Sequence, residues 1–525
     1  MPGAHGRMDW ANVLDFNAAL VTLHYELQGD WYRDPWGWPE LDWLVAHGTD
    51  ALVARLNGTG VKAVARIDVP KENFGTRPAI VMDPVDRLAY QALVDVVGVS
   101  LVGDLKPWVY GWRLQTPPER GKWSPNKVQH SAFLEGISLS ATFHTAALKT
   151  DIVSCFASID IDRLSEMIES RCGNGRVPER IVDLVGGWSR VVGRSGLAQR
   201  SVASAALANM FLSPVDEVLH EFNWRGRRRV RRRPGGLVTV AQVPRVARWM
   251  DDIWAFGHDA GDLRKLQLDI QNALRATGLE MNHSKTALLE GEAVAFEVKQ
   301  VQHSAVDEAL LGDEPDEQPL LELIEILLQA PSTASRTSLK FATRRMREHE
   351  VYDPVEQFAE HAREMPHAAD ALARLFRDSD YWRELPSWFV EYSSSPWGSI
   401  EWSVAQFGTA FPSKLPLSSD KRRLRPVVER LGKMLETEPP LPLLALGASR
   451  LAAWDPDEAR PLLRGLAVSS SSPQVRRVLA LALSNANEER AMLRRILGEF
   501  EENQVTAETL KTRNYRVKTK ADFDG

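Results

Sequence analysis

Strand-like and helix-like patterns alternate over the first 300 residues. Short runs rich in Val, Ile, Ala and aromatic residues, each bounded by Pro, Gly or Asp, predict β-strands; they are VKAVARIDVP, PAIVMDP, ALKTDIVSCF and VPRVARWMDDIWAFG. Longer stretches with apolar residues three or four positions apart predict helices; they are DRLAYQALVDVV, DIDRLSEMIESRC, QRSVASAALANMFLSPVDEVLHEF and AGDLRKLQLDIQNALRATGLEMN. This mixture predicts an α+β domain.

Beyond residue 319, helical periodicity dominates and strand patterns nearly vanish. Several helical patterns follow one another with only Pro, Ser or Asp between them, as in LPLLALGASRLAAW, DEARPLLRGLA and SPQVRRVLALALSN. Short helices in succession are typical of a HEAT-like α-solenoid, although no strict repeat is visible. We therefore expect an all-α helical-repeat domain here.

These patterns divide the chain into consecutive segments. We predict an N-terminal extension (1–60), an α+β domain (61–300), an acidic linker (301–318), the helical-repeat domain (319–510) and a basic flexible tail (511–525). A chain of 525 residues is too long for one ordinary core, which agrees with at least two domains.

The cysteine content and the N-terminal sequence indicate in which cellular compartment the protein is expected. The two cysteines, Cys155 and Cys172, form no CxxC pair, which excludes a disulfide scaffold or a cysteine zinc site and suits a reducing cytoplasm. The first residues lack a signal-peptide pattern, and no apolar run is long enough to span a bilayer. We expect a cytoplasmic protein without membrane partners.

The charge is unevenly distributed. The net charge of −6 does not indicate a nucleic-acid-binding protein, yet Arg225 to Arg233 contains seven arginines. A local basic stripe can bind phosphates whatever the sign of the whole chain. A solvated loop is the alternative interpretation of this run.

Three acids suggest metal-dependent chemistry. Asp251 and Asp252 adjoin each other inside an apolar run, and Asp151 follows another predicted strand. Buried acids are costly unless something pairs with them. Joining nucleotides requires an activated 3′-hydroxyl and a neutralised phosphorane, and two Mg²⁺ ions about 3.5–4 Å apart can do both. Carboxylates from adjacent strands are natural ligands for Mg²⁺.

Five ordered segments resemble the reverse transcriptases, over roughly residues 60–290. KTDIVSCFASID looks like motif A of that family, SGLAQRSVASAALANMFLSPVDEVL like motif B, WMDD like the YxDD of motif C, and GLEMNHSKT like motif D. RIDVPKENFGTRPAIVMDPVDRLAYQALVD is similar to the fingers pattern. The resemblance implies a right-hand polymerase, with fingers and palm in 61–300.

The resemblance also implies roles for individual residues. Asp151, Asp251 and Asp252 would be catalytic and, with Ile152, would form the metal site for two Mg²⁺ ions, which Mn²⁺ could replace. The implied nucleotide-binding residues are Lys71, Arg77, Phe156, Gln199 and Lys285. Phe156 would exclude a 2′-hydroxyl. As alternatives, Asp151 could cap a helix, Phe156 could belong to the core, and Lys71, Gln199 and Lys285 could be surface residues.

The motifs depart from the family pattern at three positions. Trp249 replaces tyrosine in YxDD, Ala198 replaces a proline, and Arg200 replaces a glycine. Glycine permits a close backbone approach, whereas Arg200 adds bulk and a cation. We predict that Arg200 and the run containing Arg227, Arg228 and Arg229 bind nucleic acid, in a salt-sensitive way.

The helical second half is similar to that of bacterial abortive-infection reverse transcriptases. This implies antiphage defence, homo-oligomers, dNTP substrates, an RNA template or structured non-coding RNA, and a DNA product. Protein-primed or non-templated synthesis is also considered, with Tyr515 on the predicted flexible tail as the candidate priming residue. The alternatives are an RNA-dependent RNA polymerase and a catalytically inactive RNA-binding scaffold.

Overall fold

A computed structural model describes residues 9–58, 61, 63–190, 196–225, 245–302, 304–310, 316–415, 417–437 and 439–520. The chain is a mixed α+β protein in which helices predominate, as the sequence predicts. Its described residues group into two compact units. The first lies within Met1–Thr22, Arg55–Val61 and Asp86–Ser304, and the second within Leu23–Ala54, Lys62–Val85 and Ala305–Gly525.

The two units interleave along the chain. Both the predicted extension (1–60) and the predicted α+β domain (61–300) are divided between them. Local periodicity predicts each element but does not say which distant segments share a core, so the sequence suggested consecutive segments instead.

Among the described residues, seven strands form two sheets. Their bounds are β1 Ala63–Pro70, β2 Thr76–Met82, β3 Val109–Tyr110, β4 Ala146–Thr150, β5 Val246–Trp249, β6 Asp252–Gly257 and β7 Ala287–Glu290. In the second unit, β1 and β2 form an antiparallel hairpin. In the first unit, the other five strands follow the order β3-β5-β6-β4-β7. All neighbours in this sheet are antiparallel except β3 and β5.

The α-helices in the described residues up to residue 310 are α1 Trp10–Val13, α2 Phe16–Gln28, α3 Pro39–His47, α4 Thr49–Asn57, α5 Pro84–Val102, α6 Asn126–Phe143, α7 Cys155–Ser158, α8 Ile161–Cys172, α9 Arg176–Ser189, α10 Val202–Phe211, α11 Ser213–Arg225, α12 Ala260–Ala276, α13 Glu292–Gln302 and α14 Ser304–Leu310. Those that follow are α15 Gln318–Gln329, α16 Arg336–Glu348, α17 Val355–His361, α18 Ala369–Asp378, α19 Pro386–Ser394, α20 Glu401–Gly408, α21 Ser418–Arg423, α22 Arg425–Leu435, α23 Leu441–Trp454, α24 Pro456–Ser469, α25 Pro473–Asn485, α26 Arg490–Gly498 and α27 Gln504–Thr512.

Helices cover both faces of the five-stranded sheet. On one face, α6 and α13 enclose a core whose buried members include Phe133, Ile137, Trp254, Phe256 and Val298. On the other face, α12 packs against β4, β6 and β7. The apolar side of α12, with leucine or isoleucine at three- and four-residue spacing, explains this packing. The sheet is therefore a rigid base for the residues at its ends.

The second unit is a succession of packed helices. Among others, α16 packs on α18, α18 on α20, α20 on α23, and α23 on α25. Buried ion pairs join its early and late segments: the Arg477 guanidinium contacts the Asp34 carboxylate at 3.0 Å and the Glu40 carboxylate at 2.7 Å. The region is helical, as the sequence predicts.

The segments predicted as linker and tail are more structured than expected. Helix α14 occupies Ser304–Leu310 within the predicted linker 301–318. In the predicted flexible tail 511–525, residues 513–520 pack onto the second unit: the side chain of Val517 is buried and the Lys520 N–H donates to the Pro35 carbonyl. Apolar and backbone contacts outweigh the polar composition that suggested a mobile terminus.

In the part of the chain that the structure describes, no single helix is both long and apolar enough to cross a membrane, although the bent pair α10 and α11 together reach that length and apolarity.

Candidate active site

A tight hairpin carries the two adjacent aspartates. Trp249 and Asp252 are the last pair between β5 and β6, so Met250 and Asp251 alone form the turn. Met250 has a φ of +54°, a left-handed conformation that costs a non-glycine residue about 1 kcal/mol. The single strand predicted over VPRVARWMDDIWAFG is therefore wrong. The usual hairpin signals, Asn-Gly or Asp-Gly, are missing from this turn.

Two distant segments bring carboxylates to one end of the sheet. Strands β4 and β6 pair antiparallel as far as Thr150 and Ile253. The residues that follow this last pair at the end of the sheet are Asp151 on one segment and Asp252 on the other. Asp151 is buried, Asp251 is half-buried and Asp252 is exposed. The cluster thus lies at the border between the core and solvent.

Burial and mutual charge repulsion raise the pKa values of Asp251 and Asp252. Desolvation by the surrounding chain, followed by the charges of Asp252 and Asp151, raises the pKa of Asp251 to about 7. Desolvation followed by the charge of Asp151 raises the pKa of Asp252 to about 6, although this side chain keeps an exposed face. A cation that bound here would relieve the repulsion and displace protons.

The segment after α12 packs over Asp151. Ile152 and Met281 form an antiparallel bridge, and the Asn282 N–H donates to the Asp151 carbonyl at 2.8 Å. The Asn282 side-chain amide donates to Asp151 Oδ2 at 2.9 Å, and Lys285 Nζ lies 3.2 Å from the same oxygen. Burial lowers the pKa of Lys285, but the attraction of Asp151 outweighs it and raises that pKa. Lys285 is therefore a charged neighbour of the carboxylates.

The segment predicted as motif B contacts the one predicted as motif A. Phe156 is half-buried in α7, and its carbonyl accepts the Leu197 N–H at 2.8 Å. Gly196, with φ +66°, lies so close that a β-carbon on it would be 2.1 Å from the same carbonyl oxygen. Only glycine fits both the conformation and the space. Backbone contacts thus hold Phe156 against the Gly196–Leu197 segment.

Gln199 and Arg200 follow in the same loop. Gln199 is half-buried, and Arg200 is exposed with a φ of +62°. The Arg87 guanidinium, itself buried, donates to the Arg200 carbonyl at 2.7 Å. Arg87 is thus a structural anchor of this loop. Arg200 therefore occupies a left-handed position where the resembled family has glycine, which has no β-carbon to strain there.

A buried arginine that the sequence analysis passed over supports the hairpin. Arg248 is fully buried, and its guanidinium binds both carboxylate oxygens of Asp216 at 2.7 Å. It also donates to Asn209 Oδ1 at 3.1 Å and to the Met250 carbonyl at 3.0 Å. Arg248 thereby joins α10 and α11 to the turn that carries Asp251. The signal in the sequence was a charged residue inside an apolar run.

Trp249 belongs to an aromatic cluster. Its ring centroid lies 5.2 Å from Trp112, 5.0 Å from His130 and 6.1 Å from Phe133. The Trp249 ring thus packs between the segment that follows β3 and helix α6. In this structure Trp249 is half-buried and packs against the core below the sheet.

The predicted triphosphate-binding cations, Lys71 and Arg77, belong to the second unit, at the β1–β2 hairpin. The Arg77 guanidinium lies 5.6 Å from the centre of the Trp31 ring. Their nucleotide-binding role stays a prediction. Arg227, Arg228 and Arg229 lie outside the described residues.

Tyr515 does not extend from the surface. It is half-buried in the second unit, and its carbonyl accepts the Ser484 hydroxyl at 2.6 Å. Its ring lies 5.8 Å from the Arg490 guanidinium and 6.0 Å from that of Arg494. A priming residue must lie on a mobile segment, whereas the chain around Tyr515 is packed up to residue 520.

The three aspartates provide the type of ligand atom that magnesium prefers, but their side chains do not form a complete metal-coordination site in this structure. Asp151, Asp251 and Asp252 offer hard carboxylate oxygens. The side chain of Ile152 is a hydrocarbon without a donor atom, so Ile152 could contribute only its backbone carbonyl. Within the described ranges, no three His, Cys, Asp or Glu side chains converge closely enough to hold a metal. Lys285 and Asn282 both contact the same Asp151 oxygen, Oδ2.

No protein-family model matches the chain, and no curated protein matches it significantly.

Proposed function

We propose that this chain is a reverse-transcriptase-type DNA polymerase that adds deoxynucleotides with the help of two Mg²⁺ ions. The observation that carries the proposal is that the Asp151 segment and the Asp251–Asp252 turn lie at the same end of the sheet. The four segments that resemble motifs A to D also meet there, through Phe156, Leu197 and Asn282. The five-stranded sheet would be the palm, and the second unit a HEAT-like region.

The chain's own residues would divide the work as follows. The three aspartates would bind the cations, which supply charge neutralisation and activate the primer hydroxyl. Lys285, whose ammonium group stands beside Asp151, could donate a proton to the departing pyrophosphate. The ring of Phe156, held by the contact with Leu197, would lie under the sugar and exclude a 2′-hydroxyl.

The buried Arg248 network supports a catalytic role for the hairpin. A turn that only joined two strands would not need a buried, bidentate ion pair, which is costly to desolvate. Here the pair fixes the carbonyl next to Asp251. Accurate placement of the acids is what metal-assisted chemistry requires.

The proposed partners are dNTPs, an RNA template or structured non-coding RNA, the DNA product and further copies of the chain, with antiphage defence as the proposed setting. An RNA-dependent RNA polymerase is the second candidate, because paired aspartates suit either sugar. An inactive RNA-binding scaffold is the third.

Nucleotide incorporation separates these candidates. The full chain is incubated with Mg²⁺, a primed RNA template and labelled dNTPs or rNTPs, beside Asp251→Asn and, as a matched control, Asp162→Asn on the exposed side of α8. We expect dNTP incorporation by the wild type and the control, and its loss in Asp251→Asn. Preference for rNTPs would favour the RNA polymerase, and no incorporation at all would favour the scaffold.

A reaction without primer tests priming. Label that stays with the denatured protein would support protein-primed synthesis, and its loss in Tyr515→Phe would identify the residue. Because Tyr515 packs against the second unit, we expect Tyr515→Phe to keep its label.

A further inference from the structure

A small open cleft in the first unit is lined by a buried carboxylate, that of Asp95 on α5. The cleft has a volume of about 260 Å³. A single water molecule takes about 30 Å³, so the cleft has room for a small organic molecule. The start of α2 and the turn around residue 120 form its other walls, and the lining residues used below are Val13, Asp15, Ala18, Asp95, Arg120 and Gly121.

Only one oxygen of the Asp95 carboxylate is hydrogen-bonded. Asp95 is 3% exposed, and its Oδ1 accepts the Trp123 indole N–H at 2.7 Å and the Gln91 side-chain amide at 2.8 Å. In contrast, Asp95 Oδ2 is buried without a hydrogen-bond partner in the described part of the chain, and so is Oε1 of Gln91. A buried acceptor without a donor is costly and rare in folded proteins. The pair therefore indicates that a donor from outside the chain binds here.

Gly121 leaves space beside that oxygen. Its φ is +69°, and a β-carbon built on it would lie 3.7 Å from Asp95 Oδ2. The nearest atom to that β-carbon would be Asp95 Cγ, at 3.6 Å, which is an ordinary van der Waals distance. An atom of carbon or nitrogen size thus fits next to the carboxylate.

Both signs of charge line the cleft without pairing directly. Burial raises the pKa of Asp95 and the charge of Asp15 adds to this rise, whereas the charge of Arg120 opposes it. The exposed Arg120 donates to the Val13 carbonyl but not to Asp95 Oδ2. A guanidinium group has five N–H donors, so donors remain for a further acceptor. The cleft is therefore complementary to a molecule with a positive and a negative group.

We propose that this cleft binds a free α-amino acid with a small side chain. Its ammonium group would donate to Asp95 Oδ2, and its carboxylate would accept from the Arg120 guanidinium. Val13 and Ala18 offer apolar surface to the side chain. None of the lining residues belongs to the candidate active site, so the inference does not depend on the polymerase proposal.

Calorimetric titration of the full chain tests the proposal. The probes are glycine, L-alanine and L-valine, each beside its N-acetyl derivative, which lacks the ammonium group, and its methyl ester, which lacks the carboxylate. We expect at least one of the free amino acids to bind. Either blocking group should weaken that binding at least about tenfold, because each removes a charge-assisted hydrogen bond.

Two variants locate the binding. Asp95→Asn keeps an oxygen for Trp123 and Gln91 but replaces Oδ2 by an NH₂ group, and Arg120→Gln removes the cation. Both should weaken binding at least about tenfold, and the matched control Asp162→Asn, on the exposed side of α8, should leave it unchanged.

The proposal would be overturned if none of the three amino acids bound to the wild type. Binding that survives either blocking group would overturn it too, as would equal affinity in Asp95→Asn. If circular dichroism shows that Asp95→Asn does not fold, Arg120→Gln decides the question, because its side chain is exposed.

Discussion

Gly196 touches the carbonyl oxygen of Phe156 so closely that any β-carbon on Gly196 would lie 2.1 Å from it. This contact joins two segments forty residues apart in the chain and sets the backbone on which Phe156 stands. The neighbouring bond from Leu197 to the same oxygen adds to it. These contacts thus hold the main chain of Phe156, whose ring is the proposed selector against a 2′-hydroxyl.

Gly196→Ala should therefore destabilise the first unit. The left-handed φ alone costs about 1 kcal/mol, and the clash should add about 1–3 kcal/mol more. Gly291→Ala is the matched control, because Gly291 has φ +59° and nothing within 4 Å of the added carbon. Chemical denaturation measures both. Equal losses in the two variants would mean that the contact with Phe156 is unimportant.

Arg200→Gly should stabilise the protein, by about 1 kcal/mol, because glycine adopts the observed φ of +62° without strain. Arg200→Ala removes the same cation but keeps the β-carbon, so it should bring no such gain. If Arg200 contacts a phosphate, both variants should lower the salt dependence of nucleic-acid binding by about one unit of slope. A gain in stability that alanine shares would contradict the strain explanation.

Arg248→Met should cost about 3–5 kcal/mol, because it leaves Asp216 buried and uncompensated. Replacing both partners, as Arg248→Met with Asp216→Leu, should recover much of that stability. Nucleotide incorporation should stay low in the double variant, because the Met250 carbonyl has lost its donor. Recovery of both stability and activity would show that Arg248 only fills the core.

The described fold could be predicted in its elements but not in their assembly. Apolar runs predicted β1, β2 and β4. The β5–β6 turn was missed because Met250 carries no turn signal. Which distant segments share a unit was missed as well, since a periodic pattern says nothing about its partner.

The residues of the candidate site could likewise be predicted only in part from the sequence. The aspartates were identified because acids inside apolar runs require a reason. The Arg248–Asp216 pair was not, because its members lie 32 residues apart and belong to no recognised pattern. Tyr515 was misplaced because a basic, polar terminus suggests mobility, whereas its backbone is bonded to Ser484.

Cation binding at the aspartates should strengthen as the pH rises from about 5 to 8. Raised pKa values near 7 for Asp251 and near 6 for Asp252 mean that protons occupy these groups at the lower end of that range. A cation must displace them, so its apparent affinity increases as they leave. Titration with Mn²⁺ at several pH values measures this, and Asp251→Asn should flatten the dependence. An affinity that does not change with pH would contradict it.

The most direct test is a double-mutant cycle on Mn²⁺ binding. Asp151→Asn and Asp251→Asn are titrated singly and together, with Asp162→Asn as the exposed control. If the two aspartates hold the same ion, each single change should weaken binding at least about tenfold, and the double change should add little to the larger loss. Single variants that bind Mn²⁺ like the wild type, or losses that simply add, would mean that Asp151 and Asp251 do not form one site.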